Sequence, residues 1–266
     1  MKKISFQVVT LFPELIQSYL KDALLSKAIA SGLLAVGVTD LRPFSDTKYK
    51  SVDDTVFGGG DGMLFKYKPL ASAINSLHVF KKNTAGKKVV YLSPQGKPWN
   101  SSLAKEWSKS EEIILVCGRY AGVDQRFIHH FVDEEVSIGD YVLSGGELGA
   151  LVVIESVSRF VAGVLGDHAS AQVDSFENGL LEAPQFTKPQ TEDGFAVPAV
   201  LVSGNHQKIS EWQKNCAVLT TLKKRPDLLT LRKDINWPQL EDFYKNMNPQ
   251  EKTILGLDDL FKTENK

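Results

Sequence analysis

Three glycine-bearing turns carry the residues best suited to hold a ligand. Ser93-Pro94-Gln95-Gly96 follows the apolar run KVVYL, and Gly118-Arg119-Tyr120-Ala121-Gly122 follows IILVC. The third runs Ile138-Gly139-Asp140-Tyr141-Val142-Leu143-Ser144-Gly145-Gly146-Glu147. Glycine lets backbone amides and carbonyls come close to a bound molecule, and in open α/β sheets ligands bind beyond the carboxyl ends of the strands, where such loops converge. Three of them in one half of the chain favour a single composite pocket, although a tight turn accounts for each taken singly. None matches G-x-G-x-x-G after a strand or G-x-x-x-x-G-K-[ST], so neither a dinucleotide fingerprint nor a P-loop is supported. Gly58-Gly59-Gly60-Asp61-Gly62 fits neither pattern; it reads as a flexible loop or as backbone that approaches a substrate or partner subunit. His129 and His130 are adjacent and point differently on a helix, while His168, His206, Cys117 and Cys216 lack metal-ligand spacing, so no residue is assigned to a metal. No G-x-S-x-G elbow supports hydrolase chemistry.

The elements that must position these turns alternate strand and helix. Ile4–Leu11, Leu34–Leu41, Lys88–Leu92 and Ile113–Cys117 read as strands, the last two rich in Val and Ile as buried parallel strands are. Helical periodicity covers Phe12–Leu34, Ser101–Lys109, Val123–Phe131 and Glu147–Val161. The pattern predicts an α/β layer fold with a mostly parallel sheet. From Gly166 the texture changes: GDHASAQVDSFENG is small, polar and nearly aperiodic, and reads as a linker or mobile loop. An irregular stretch with Pro184, Pro189 and Pro198 follows, then helical patterns over Lys208–Leu222, Pro226–Arg232, Trp237–Met247 and Pro249–Phe261.

The chain has 266 residues with 31 Lys and Arg against 32 Asp and Glu, so a polyanion would be held by a local patch and not by the global field. Gly204–Lys233 is that candidate, with seven basic residues against two acidic ones. Asp234–Lys266 has four bases against seven acids. A solvated helix face explains such a run as readily as a phosphate-contacting surface does, and Trp212 reads equally as core or as a stacking platform. Two cysteines fit a reducing, cytoplasmic setting, the amino terminus does not pattern as a signal peptide, and no apolar run spans a membrane.

Longer motifs sharpen this. YLSPQG (Tyr91–Gly96), LVCGRY (Leu115–Tyr120) and EEVSIGDYVLSGGEL (Glu134–Leu148) followed by SVSRF (Ser156–Phe160) resemble bacterial tRNA (guanine-N1)-methyltransferases, which methylate the guanosine at tRNA position 37 beside the anticodon. LFPE, VDD…GGG…GM, GVLG…ASA…DSF…GLLE, VP..L.SG.H and RPDLL extend the resemblance in order along essentially the whole chain. It implies a SPOUT-type trefoil-knotted, mostly parallel sheet domain over 1–165. A flexible linker over 166–178 would carry the general base, and a smaller, mainly helical tRNA-binding domain would occupy 179–266. It also implies a homodimer with a shared active site and S-adenosylmethionine held by Leu92, Ser93, Pro94, Gly96, Gly118, Tyr120, Ile138, Gly139, Asp140, Tyr141, Val142, Leu143, Gly145 and Gly146.

Guanine N1 carries a proton at neutral pH, so attack on a sulfonium methyl needs a base within hydrogen-bond reach and a cationic donor for the charge that moves onto O6. By resemblance Asp174 is that base and Arg159 that donor; without it, Asp174 reads as a loop acid or helix cap and Arg159 as a partner of Glu155. A linker-borne base implies a site that assembles when tRNA docks, with 166–178 loose beforehand, and the basic stretch 208–233 would grip anticodon-stem phosphates. The chain departs from the family pattern at Ala121 and Gln125, where the family has glutamates. The first of those glutamates is linked to magnesium dependence. Asp61, Val136 and Gly149 also depart from it. Two other readings stay open: a SPOUT methyltransferase for another RNA nucleoside, and an RNA-binding homologue without turnover, which Ala121 favours.

Overall fold

The apolar runs of the first half pair into one parallel sheet. The computed structural model describes residues 3–21, 23–59, 62–165 and 174–261. Within it, β1 (Ile4–Thr10), β2 (Leu34–Asp40), β5 (Lys87–Pro98), β6 (Glu112–Cys117) and β7 (Glu134–Ser137) lie in the order β2-β1-β6-β5-β7. Every neighbouring pair is parallel. Side chains alternate between two cores, as the two-residue period of a strand requires. Phe6, Val8, Val90, Ile113 and Leu115 pack under α1 (Pro13–Leu20), α2 (Ala23–Ala30), α4 (Ser101–Trp107) and α6 (Glu147–Ser158). Val9, Val89, Tyr91, Ile114 and Val116 pack on the opposite face under α3 (Tyr67–Ser76) and α5 (Gln125–Phe131). Each fully buried aliphatic side chain contributes about 1.5–3 kcal/mol, so a sheet covered on both faces needs the continuous apolar strands seen here.

Several boundaries differ from the sequence reading. The single helix expected over Phe12–Leu34 is two, and the second ends in a Schellman cap. Gly32 at φ +73 donates to the Ile29 carbonyl, and Leu33 donates to that of Ala28. The turn expected at Ser93–Gly96 interrupts no strand: β5 continues to Pro98, and its pairing with β7 jumps from Leu92 to Lys97, both opposite Val136. The four residues between are looped out as an enlarged bulge. Three elements lie outside the periodic patterns: the hairpin of β3 (Asp53–Thr55) and β4 (Met63–Phe65), α3, and β7, whose sequence EEVS has little apolar signal.

The chain divides into two compact units, Met1–Ala171 and Gln172–Lys266. The second holds a two-stranded ladder, β8 (Thr191–Glu192) with β9 (Phe195–Ala196), closed by Asp193-Gly194, both at positive φ as a type I′ turn needs. It continues with α7 (His206–Lys224), α8 (Trp237–Asn246) and α9 (Pro249–Ile254). Asn205, Asn236 and Asn248 cap them by accepting from backbone amides in the first turn. Trp212, Cys216, Leu219, Leu240, Met247 and Leu257 form the core. Trp212 is therefore a core residue, its indole donating to Glu251 Oε1 at 2.6 Å. Among the described residues no helix is long and apolar enough to cross a membrane. Most of the expected linker, residues 166–173, falls outside the described residues, as do Gly60 and Asp61.

Candidate active site

The three glycine-bearing segments enclose one cavity of about 500 Å³ in the first unit, within the roughly 300–1,000 Å³ range of small-molecule sites. Leu92, Ser93, Pro94 and Gln95 supply one wall, and Gly118, Tyr120, Ala121 and Gly122 the second. The third comes from Ile138, Gly139, Tyr141, Val142, Leu143, Gly145 and Gly146. Gly96 and Asp140 are not on the wall. Gly96 instead lies against the backbone of Glu135 and Val136, where any Cβ would collide, and so lets the bulge close onto β7. Gly146 likewise admits no side chain: its Cβ would stand 2.8 Å from Cys117 Cα.

Hydrogen bonds lock the segments to one another. The Gly146 amide donates to the Gly118 carbonyl at 3.0 Å, and Arg119 and Gly145 form a bridge. Tyr120 adopts φ +60, a conformation costly for a bulky residue, and sits exposed at the mouth. The Ser137 hydroxyl donates to the Gly139 carbonyl and accepts from the Gly139 amide, fixing the turn after β7.

From Arg119 on the wall inward runs a polar network that sequence reasoning missed. Glu147, 2% exposed at the start of α6, accepts from Thr10 Oγ1 at 2.7 Å and pairs with the Arg119 guanidinium at 3.1 Å. Arg119 also stacks over Phe12, 4.0 Å from the ring centre. An acid in the first turn of a helix is favoured by the dipole, but nothing in the residue order ties it to Arg119 or Thr10. Removing one partner of such a buried pair costs about 3–5 kcal/mol. Tyr91 forms the floor beneath Gly118 and Gly122. Burial, with Glu135 adding repulsion, pushes its hydroxyl up to about 12, so it stays protonated. Burial also pushes the Cys117 thiol up, leaving it an inert part of the core.

The two expected chemical side chains lie in different units. Arg159 caps the carboxyl end of α6 in the first unit, exposed. Asp174 is half-buried at the start of a turn in the second unit, its carbonyl accepting from the Glu177 amide. The described part of the expected loose linker, 174–178, is thus hydrogen-bonded turn. Among the described residues no cluster of three or more His, Cys, Asp or Glu is placed to hold a metal ion.

The family model for tRNA (Guanine-1)-methyltransferase TrmD matches residues 4–231. The chain belongs to this family. A tRNA (guanine-N(1)-)-methyltransferase of Photobacterium profundum is 48% identical over 223 residues, 84% of this chain and 88% of that protein. The same-named protein of Shewanella woodyi is 50% identical over 222 residues, 84% and 89% of the two chains. That of Clostridioides difficile is 44% identical over 223 residues, 84% and 96%. In this TrmD-family chain the match runs from β1 through α7 and stops before α8 and α9, although Leu240 of α8 and Met247 just beyond its end belong to the second core. Ala121 and Gln125 both face the cavity.

Proposed function

We propose that this chain, a tRNA (guanine-N1)-methyltransferase by family, transfers a methyl group from S-adenosylmethionine to N1 of the guanosine at tRNA position 37. The family match over 4–231 carries the reading, and the cavity supports the choice of cofactor. Its walls are mainly glycine backbone and apolar side chains, with Ser93, Gln95, Gln125 and Ser137 as polar ones and Arg119 and Glu135 as the charged residues on them. That composition suits a molecule with a flat heterocycle and one mobile polar arm. Leu92, Ile138 and Leu143 offer apolar surface to the ring, and the backbone of the Gly118 and Ile138–Gly146 segments offers amides and carbonyls to its polar edge. Bound there, the cofactor supplies a methyl group on a sulfonium.

The remaining work belongs to side chains. Asp174 accepts the N1 proton as the ring nitrogen attacks, and Arg159 holds the charge that develops on O6. The target base leaves its stack to be reached, which an anticodon loop allows at low cost. Lys208, Lys214, Lys223, Lys224 and Lys233 are exposed on the second unit and meet phosphates. On the first unit Leu15 and Tyr19 of α1 and Leu148 and Val152 of the adjoining α6 stand exposed. This apolar face suits a second copy of the chain. The fold that accompanies the reading is a knotted first unit working as a homodimer in the cytoplasm.

Incubation with labelled cofactor and an unmodified tRNA transcript tests it: the product nucleoside is N1-methylguanosine, and a transcript lacking guanosine at position 37 accepts no label. A 2′-O-methylated product, or cofactor binding without transfer, would refute the assignment.

A further inference from the structure

The turn that begins at Asp174 leads into a loop that is closed on itself and tied to the helical unit by two side chains. The Glu182 amide donates to Ser175 Oγ at 3.1 Å and closes the neck of a loop spanning 175–182. Inside it the Phe176 amide donates to the Leu180 carbonyl at 2.7 Å, and the Gly179 amide to the Phe176 carbonyl at 3.1 Å. Leu180 is buried. Two groups from elsewhere in the unit bolt the loop down. Thr221, fully buried on α7, accepts from the Leu181 amide at 2.9 Å while its hydroxyl donates to the Ala217 carbonyl. Arg232 donates from Nη1 to the Asn178 carbonyl at 2.5 Å, while its Nε and Nη2 are held by Asp234 at 2.7 and 2.6 Å. The guanidinium lies so close that a Cβ on Gly179, itself at φ +75, would stand 3.2 Å from Nη1.

Two features say that these bolts are needed. Phe176 sits at φ +78, a conformation that costs about 1–3 kcal/mol for such a residue and persists only where its surroundings over-determine it. Arg232 lies in the basic stretch but has its donors committed internally and its side chain only 25% exposed, unlike the neighbouring lysines. A phosphate grip would leave the fork facing solvent.

We propose that Arg232 and Thr221 are positioning residues for Asp174, fixing the loop whose neck adjoins it so that the helical unit carries the carboxylate in one orientation. The inference rests on the role of Asp174 given above. A small displacement of a catalytic group costs up to about 100-fold in rate, so a loosened loop slows chemistry without weakening either substrate.

Hydrogen exchange and single-turnover kinetics on the full chain test this together. Arg232→Ala is expected to speed exchange at the Phe176, Gly179 and Leu181 amides by about 10-fold or more, with α7 and β6 amides unchanged. It lowers the single-turnover rate about 10-fold with the tRNA KM and the cofactor Kd within about twofold of wild type, and in an Asp174→Ala background it lowers the rate no further. Thr221→Val repeats the effect and Thr221→Ser, which keeps the acceptor, restores it; this pair decides the matter if Arg232→Ala fails to fold. Unchanged exchange, a raised tRNA KM at unchanged rate, or an additive double variant would overturn the positioning role while a slow Asp174→Ala upholds the base. Near-wild-type turnover of Asp174→Ala would remove the base itself and the positioning role with it.

Discussion

A guanine that gives up its N1 proton as a methyl arrives shifts charge onto O6, and the cost of that charge falls steeply if a fixed guanidinium waits for it. Arg159 at the end of α6 is asked to supply this, so Arg159→Ala lowers the single-turnover rate by about 100-fold and leaves tRNA affinity within a few-fold. A change in affinity alone would recast it as a phosphate contact. Tyr91 gives a second test at this scale. Its hydroxyl is held protonated up to about 12 in the fold, against 10.0 for the free side chain. The unfolded chain therefore ionises first. Stability is intact below pH 10 and falls between pH 10 and 12, by about 2 kcal/mol at the upper end. Tyr91→Phe removes that share of the alkaline loss, as urea melts of the two proteins at pH 9 and 11.5 show. At this scale the sequence spoke clearly where residues work through their backbone: Gly118, Gly139 and Gly146 announce themselves. It was silent on Glu147, Thr10 and Arg119, whose meaning lies in contacts 28 and 137 residues apart.

Strand β5 shows how an element can be read correctly and still be misunderstood. KVVYL is plainly a strand, and Ser93-Pro94-Gln95-Gly96 plainly a break. Yet the chain resumes its pairing beyond the break because Gly96 can press against the β7 backbone. Only the register with β7 reveals this, and β7 itself has too few apolar residues to be seen in advance. Gly96→Val pushes the bulge away from β7, costs about 1–3 kcal/mol of stability, and weakens cofactor binding at least about 10-fold; calorimetry reads both. Unaltered affinity would mean that the bulge does not shape the pocket. The helices fared better. The α6 and α7 patterns were legible within a few residues because α6 carries the apolar run LGALVVI and Asn205 caps α7, whereas the α1–α2 break at Lys21 has neither Gly nor Pro to mark it.

Charge is organised at the level of the whole molecule. A net charge of −1 gives no general attraction to RNA, and the proposed reading assigns the grip on tRNA to the exposed lysines of the second unit. Each lysine that no longer neutralises a phosphate lowers the slope of log affinity against log salt by about 1. Lys223→Ala with Lys224→Ala therefore weakens tRNA binding, flattens that slope by about 2, and leaves cofactor binding in the first unit untouched; filter binding across salt concentrations measures it. The sequence located the change in texture near Gly166 but not the division at Ala171, because only the hydrogen bonds of the 174–182 loop show which unit owns that segment. In the proposed reaction a carboxylate owned by the second unit takes the proton from guanine N1 at a methyl donor held by the first. Single-turnover methylation of a tRNA transcript by Asp174→Ala, with the cofactor Kd measured beside it, tests this most directly. The expected rate is lower by about 100-fold or more at an unchanged Kd. A rate near that of the wild-type protein would contradict it.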